Sequence, residues 1–199
     1  MKKTKYAFLL FLISSISYGQ KCNHTNLSKA YNFSVKLERI KDSSACKITL
    51  NILDKVTSKE LQRIIINSEF IFEKDFKDCS KIRSYSTNIN EKEIDVDNDF
   101  GDLIIADFNF DGKEDIAIKK DSGGNGGPLY EFYTQNTNNK FIKDTFLSNT
   151  LEFFPSYINK SKKTLTTLVH ANVYQRCKMV FKYNSKWNKW KRISKTFVE

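Results

Sequence analysis

Histidine is scarce in this chain, with two residues in 199, and its four cysteines include no CxxC pair. The isolated His24 and His170 cannot form a histidine metal cluster, and the cysteine spacing matches no zinc site. No serine stands in a recognisable motif beside a histidine base, so no catalytic triad can be assigned. We therefore predict a binding protein rather than an enzyme, with His170 as a buried residue of an apolar strand.

Proline and glycine are also few, at two and seven residues, and no long helical period occurs. Turns must then be built on Asn and Asp, which tolerate the same backbone conformations. Short helices are expected only at 68–76 or 145–153. Apolar and polar residues instead alternate in short segments, which is the period of half-buried strands. These segments are 33–37, 46–52, 61–66, 103–105, 116–118, 129–134, 140–147, 164–169, 175–183 and 190–196.

This pattern predicts an all-β fold of twisted antiparallel hairpins, in an irregular barrel or a propeller-like arrangement. The apolar run at 6–16 is too short to span a bilayer, which takes about 20 residues. It follows Lys2, Lys3 and Lys5 and precedes small residues, as in a cleavable signal peptide. We expect a signal peptide at 1–19, an irregular extension at 20–32 and one all-β calcium-binding domain at 33–199, in a periplasmic or extracellular protein with no membrane span.

The chain after residue 19 is basic, with 30 Lys and Arg against 23 Asp and Glu, a net charge of +7. Such a surface can attract cell-wall polymer, lipid head groups or acidic proteins, or it can simply keep the protein soluble. An exported chain without a recognisable binding module is a poor candidate for nucleic-acid binding.

An even number of cysteines in an exported chain predicts two disulfides, with three possible connectivities. One of them, Cys22 with Cys177 and Cys46 with Cys79, would tie the two ends together and join early strands. The spacing does not choose between the three.

The clearest motif of the chain lies at 107–115. Side-chain oxygens recur at alternate positions, so one turn of chain can surround a hard cation, and Gly112 allows the sharp reversal at the sixth position. Ligands that are all oxygen suit Ca²⁺ rather than zinc or copper. The candidate ligands are Asp107, Asn109, Asp111, the carbonyl of Lys113, and Asp115, directly or through water.

The calcium motif departs from a full EF-hand, because its twelfth position is Ile118 and its flanks are strands. It resembles the β-loop-β calcium sites of FG-GAP and integrin-type propeller repeats. We expect weak affinity, on the order of 0.1–1 mM, and an Asx-rich turn without metal is the alternative. The acidic stretch with Asp95, Asp97 and Asp99 lacks a following glycine, so it predicts a solvated loop more than a second ion site.

Several segments together resemble a family of exported bacterial proteins. They are the strand at 48–54, the strand opening at 61–64, the calcium loop at 107–115, Ser122-Gly123-Gly124, and the run at 129–133. Over residues 46–147 the chain resembles periplasmic lysozyme inhibitors of the I-type class. This group includes immunity proteins against the lysozyme-like effectors of type IV secretion in Xanthomonas.

The resemblance implies a function for the Gly-rich loop at 122–128. In the family this loop enters the lysozyme cleft, so Ser122 and Tyr130 would contact the enzyme, with Gly123 and Gly124 shaping the loop. The chain would then block a lysozyme-like peptidoglycan hydrolase, its protein partner. The alternative is a calcium-stiffened surface domain that binds cell-wall glycan or another protein. Its candidate face is aromatic and includes Tyr183, Trp187 and Trp190.

Overall fold

The structure is a computed structural model that describes residues 20–41, 43–94 and 96–198. Almost all regular structure in these ranges is β-strand, so the expected all-β class is confirmed. The expected signal peptide at 1–19 and the residue Asp95 lie outside the described residues. None of the described helices is long and apolar enough to cross a membrane.

The strands form three open sheets, each with two edge strands, rather than a closed barrel. The first is an antiparallel sheet of β1 (Gln20–His24), β2 (Tyr31–Arg39), β3 (Cys46–Asp54) and β4 (Glu60–Ser68). The second contains β5 (Ile82–Ser84), β6 (Leu103–Ala106), β7 (Asp115–Gly124), β8 (Gly127–Gln135) and β9 (Phe141–Lys143), with only β5 and β6 parallel. The third is an antiparallel sheet of β10 (Tyr157–Asn159), β11 (Thr164–His170), β12 (Arg176–Asn184) and β13 (Lys189–Val198).

The second sheet lies between the other two, because both of its faces are buried. Ile105 and Ile116 belong to a core shared with the first sheet. Their chain neighbours Ile104 and Ala117 point the opposite way, into a core shared with Phe181 of the third sheet. A strand buried on both faces is a continuous apolar run, as in β6, whereas the outer strands alternate. This places β6 and β7 at the centre of the molecule.

The N-terminal segment differs from the irregular extension expected at 20–32. It begins with β1, which pairs along its full length with β2. Cys22 in β1 forms a disulfide with Cys79, 57 residues away, and a bridge that closes such a loop typically stabilises a fold by about 2–4 kcal/mol. Residues 20–24 are therefore an edge strand of the first sheet, and irregular chain follows at 25–30.

The prediction of two disulfides is wrong, and the one bridge found does not belong to the pairing of Cys22 with Cys177 and Cys46 with Cys79 that was named as a possibility. Cys46 and Cys177 are buried free thiols. Cys46 lies in β3 and Cys177 in β12, on opposite sides of the second sheet, so they cannot approach to bonding distance. Counting cysteines overestimated the number of disulfides because a buried thiol also serves as a small apolar core residue.

The connections follow the expected use of Asn, since five asparagines have positive φ: Asn88, Asn90, Asn98, Asn139 and Asn188. A short helix does occur within 145–153, as the π-helical turn Leu147–Leu151. The alternative helix at 68–76 is absent, and turns follow β4 there. His170 is exposed rather than buried, because it ends β11 where the chain turns toward β12.

Candidate functional site

The loop between β6 and β7 contains the expected calcium ligands and is closed by its own polar groups. The carboxylate of Asp107 accepts hydrogen bonds from the N–H groups of Asp111 and Gly112, both at 3.0 Å. Asp111 accepts one from the N–H of Lys113 at 2.8 Å. The chain reverses at Phe110 and Gly112, whose φ angles are +60° and +87°. Asp107 and Asp111 are thus brought into one turn, as the sequence predicts.

Asp115 anchors this loop to the middle sheet. Its Oδ2 accepts the N–H groups of Phe108 at 2.9 Å and Asn109 at 3.3 Å, and its Oδ1 accepts that of Gln135 in β8 at 2.8 Å. The side chain is fully buried, and this burial raises the pKa of the Asp115 carboxyl to about 8. No ion pair among the described residues involves it.

The donors of this loop fit a hard cation in their chemistry, because all are oxygens. The Oδ1 atom of Asn109 accepts one hydrogen bond from the N–H of Asp111, so a second lone pair remains. Burial also raises the pKa of Asp107. No group of three His, Cys, Asp or Glu side chains within the described ranges is arranged to hold a metal. Since Asp115 is already held by three N–H groups, the better ligands are Asp107, Asn109 and Asp111.

The Gly-rich segment is not a separate loop but the turn of the β7–β8 hairpin, here called the tip (residues 123–127). Gly123 has a φ of +65°, and a Cβ there would lie 1.9 Å from the carbonyl oxygen of Gly127. Gly124 and Asn125 are exposed at the end of the turn, and a Cβ on Gly124 would meet nothing within 4 Å. Gly123 is therefore required by close backbone approach, whereas Gly124 is open to solvent.

The acidic stretch near residue 97 packs against the tip. A Cβ on Gly127 would lie 2.4 Å from the carbonyl oxygen of Asp97, and one on Gly126 would lie 3.0 Å from the Phe153 ring. The side chain of Asn98 donates a hydrogen bond to the Gly126 carbonyl at 3.1 Å. These contacts on both sides hold the tip in one position.

The two polar side chains expected to contact an enzyme, Ser122 and Tyr130, are buried. Tyr130 is 0% exposed, and its hydroxyl donates a hydrogen bond to the Gly101 carbonyl at 2.9 Å. Ser122 is 6% exposed, accepts the N–H of Phe72 at 2.7 Å and donates to Asp75. Both residues support the hairpin from inside, and the accessible part of the predicted loop is Gly124 with its neighbour Asn125.

Beneath the tip, Lys119 of β7 lies among three carboxylates. Its Nζ is 3.1 Å from Asp75, 3.0 Å from Asp99 and 2.9 Å from Asp102, and the Lys119 side chain is 1% exposed. Burial tends to raise the pKa of Asp99, but the positive charge of Lys119 outweighs it and the pKa is lowered. Asp102 is buried more deeply, and that burial raises its pKa despite the same cation.

This charged group is here called the Lys119 cluster (Asp75, Asp99, Asp102 and Lys119). All of its members except Asp102 line a cleft of about 470 Å³ beside the tip. Charged side chains also line its walls, among them Lys74, Lys81, Glu93 and Asp97. Because Asp99 is paired with Lys119, the acidic stretch at 95–99 contributes to this cluster rather than forming an evident second ion site.

Our sequence reasoning missed the Lys119 cluster. Its signal was a charge directly beside an apolar run: Lys119 follows Ile116-Ala117-Ile118, and Asp102 precedes Leu103. A strand buried on both faces leaves such a charge no exposed side, so it must find a buried partner.

No protein-family model and no curated protein matches this chain. Among solved structures, one described as a Xanthomonas type IV secretion system related protein is similar in fold. The match covers 89% of this chain and 81% of the other, with a TM-score of 0.57 and 13% sequence identity. At this identity the likeness shows the fold alone: this all-β chain shares its architecture with a protein related to that secretion system.

Proposed function

We propose that this chain is an exported inhibitor or immunity-type protein, which blocks a lysozyme-like peptidoglycan hydrolase by placing the tip in the enzyme's cleft. The observation that carries the proposal is the fixed tip, whose exposed Gly124 and Asn125 lie on a turn held by Asp97, Asn98 and Phe153. A turn already held in one conformation loses little entropy when it enters a cleft. The fold shared with a secretion-related protein supports this role.

Calcium has a separate role in this proposal. It would bind to Asp107, Asn109, Asp111 and the Lys113 carbonyl, with Asp115 completing the site directly or through water. The loop lies at the start of β7 and the tip at its end, ten residues apart, or about 30 Å at the usual rise per residue. Calcium would therefore stabilise the loop and the middle sheet rather than shape the tip.

The test is inhibition of peptidoglycan hydrolysis by purified residues 20–199 against a panel of muramidases. Ser122 and Tyr130 are unsuitable for substitution, because removing either side chain would disturb the buried support of the hairpin. The exposed tip offers a cleaner variant, Gly124→Trp, since its side chain would extend into open space. We expect the wild type to inhibit stoichiometrically and Gly124→Trp to lose inhibition while keeping its melting temperature.

A matched control is Val56→Trp, at an exposed position (92%) in the turn between β3 and β4 of the first sheet. It adds a similar bulk far along the chain from the tip, and we expect it to inhibit like the wild type. Equal inhibition by all three proteins would remove the tip from the mechanism. No inhibition across the panel by a folded wild type would favour the second candidate.

The second candidate is a surface domain that binds cell-wall glycan. The aromatic face expected for it is only partly open, because the rings of Tyr183 and Trp190 pack at 5.0 Å and only Trp187 of the three is exposed. A different cleft, of about 610 Å³, favours it instead: Tyr85 and Tyr157 line its walls together with Asn159. Aromatic faces with nearby amides and hydroxyls suit sugar rings. Retention of the protein on insoluble peptidoglycan tests this second candidate. Glycan binding would be supported if Tyr157→Ala abolished the retention and Gly124→Trp left it unchanged.

A further inference from the structure

The charge of this chain is divided unevenly between two parts of the fold. Residues 153–198, which include the third sheet, contain eleven Lys and Arg and no Asp or Glu. Residues 20–152 contain 19 basic and 22 acidic residues. Residues 153–198 therefore carry +11, whereas residues 20–152, with the tip and the loop at 107–115, carry −3.

The structure does not neutralise these basic side chains. None of the eleven forms an ion pair with a described carboxylate. Lys182 and Lys191 lie directly opposite each other on β12 and β13, and like charges at opposed positions destabilise a sheet. The fold thus retains an electrostatic cost that an external anion would relieve.

Apolar side chains are exposed among these charges. Trp187 is 64% exposed in the turn between β12 and β13, and Phe197 on β13 is 57% exposed. The ammonium of Lys186 lies 5.3 Å from the centre of the Trp187 ring, and that of Lys195 lies 5.6 Å from the Phe197 ring. The surface is therefore mixed, with a lysine next to each of these two rings.

Protection of an edge strand explains only part of this pattern. Lysines on an exposed edge prevent pairing with other chains, and β13 is such an edge. However, Lys178 and Lys182 lie on β12, which is paired on both sides, and Lys160 lies in the turn after β10. The positive charge thus extends over the whole sheet rather than along its edge.

We propose that the third sheet binds the surface of a bilayer containing anionic phospholipid, with Trp187 at the lipid interface. Basic residues are attracted to anionic head groups, and Trp prefers the membrane–water interface. A soluble polyanion would be recognised by charge alone and would leave Trp187 and Phe197 without a role. This proposal does not rest on enzyme inhibition, and it leaves the acidic part of the chain free to meet a basic enzyme.

The test is co-sedimentation of residues 20–199 with vesicles of phosphatidylcholine alone or mixed with phosphatidylglycerol. We expect binding only to the phosphatidylglycerol vesicles, weakened about tenfold or more by high salt because salt screens exposed charges. Failure to bind these vesicles, by protein shown to be folded, would overturn the proposal and would say nothing about hydrolase inhibition.

Two variants with the same change in net charge separate location from total charge. Four substitutions to Gln in the third sheet should reduce vesicle binding about tenfold or more: Lys182, Lys186, Lys189 and Lys191. Four at exposed positions elsewhere should leave it within about twofold: Lys21, Lys41, Lys59 and Lys92. Equal losses in both variants would contradict a site on the third sheet.

Fluorescence distinguishes a membrane from another polyanion. The chain has two tryptophans, so Trp190→Phe leaves Trp187 as the only tryptophan emitter. Its emission should shift to the blue on phosphatidylglycerol vesicles, and Trp187→Ala, which removes an exposed side chain, should weaken binding about threefold or more. A different result would overturn the bilayer proposal in favour of an anionic polymer. In that case the protein would bind the vesicles without a blue shift, and soluble polyphosphate would compete this binding away fully.

Discussion

Carboxylates are buried at the start of β7 and around its middle, on the side of the tip, but only the second group has a cation. Near the tip, Lys119 lies within 3.1 Å of Asp75, Asp99 and Asp102. At the other end, Asp115 is held by three backbone N–H groups and forms no ion pair with a described residue. The same strand therefore contributes to one site whose charges are compensated internally, here called the tip end, and to one that lacks its own positive charge, here called the loop end.

The pKa directions follow this difference. Lys119 lowers the pKa of Asp99 although burial opposes it, whereas burial raises the pKa of Asp115 to about 8. A carboxylate that is buried without a counter-charge favours either a proton or an external cation. We therefore expect a structural role for the tip end and a response to cations at the loop end.

The largest expected effect is removal of the internal cation. Lys119→Met would leave two buried carboxylates, Asp75 and Asp102, and one partly buried carboxylate without their cation. We expect a loss of about 3–5 kcal/mol in the free energy of unfolding, measured with urea. The neighbouring Lys120→Met is the control, since that half-buried lysine donates only to the Ser148 carbonyl at 3.2 Å. Similar losses for both variants would show that Lys119 does not hold the tip end together.

The next effect concerns backbone fit at the tip. Gly123→Ala would place a methyl group 1.9 Å from the Gly127 oxygen at a φ of +65°, and we expect a loss of about 2–3 kcal/mol. Gly124→Ala, with nothing within 4 Å of its Cβ, should change stability by less than about 0.5 kcal/mol. Equal urea midpoints for the two variants would mean that the tip adapts freely.

The pH dependence of stability tests the loop end. The folded pKa of Asp115 is raised from 3.8 to about 8, so its favourable contribution is complete below pH 3.8 and is lost as the pH rises toward 8. In EDTA we expect the wild type to be less stable at pH 8 than at pH 5 by at least about 1.4 kcal/mol, the equivalent of one pKa unit. Asp115→Asn cannot titrate and should show a smaller difference, and an unchanged difference would assign the pH effect to another group.

The sequence predicted most strands because their burial follows a period of two. β3 alternates buried and less buried residues along its length, and the Asn-based turns followed from the scarcity of glycine. The loop at 107–115 lies between two strands, as its local polar spacing predicts, and its binding of calcium stays a prediction. What could not be predicted depends on contacts distant in sequence, such as the Cys22–Cys79 disulfide and the approach of Asp75 to Lys119 across 44 residues.

The predicted partner loop shows the same limit. The resemblance to lysozyme inhibitors predicts that Ser122 and Tyr130 reach an enzyme, but both side chains are buried. The strands continue to Gly124 and from Gly127, so both side chains fall inside the hairpin, where Tyr130 reaches Gly101. The position of a strand end, a matter of one or two residues, decides which side chains a partner can reach.

The smallest expected effect is the response to calcium, and it bears most directly on the comparison. If only the loop end lacks a cation, calcium at ten times its dissociation constant should raise the free energy of unfolding of the wild type by about 1.4 kcal/mol. Asp111→Ala removes a ligand and should abolish this rise in a calcium titration followed by thermal unfolding. Asp97→Asn, which removes an exposed carboxylate at the tip end, should keep it. The opposite result would be a rise that survives Asp111→Ala but disappears with Asp97→Asn. It would place the ion at the tip end and would mean that Lys119 does not fully compensate the charge of its three carboxylates.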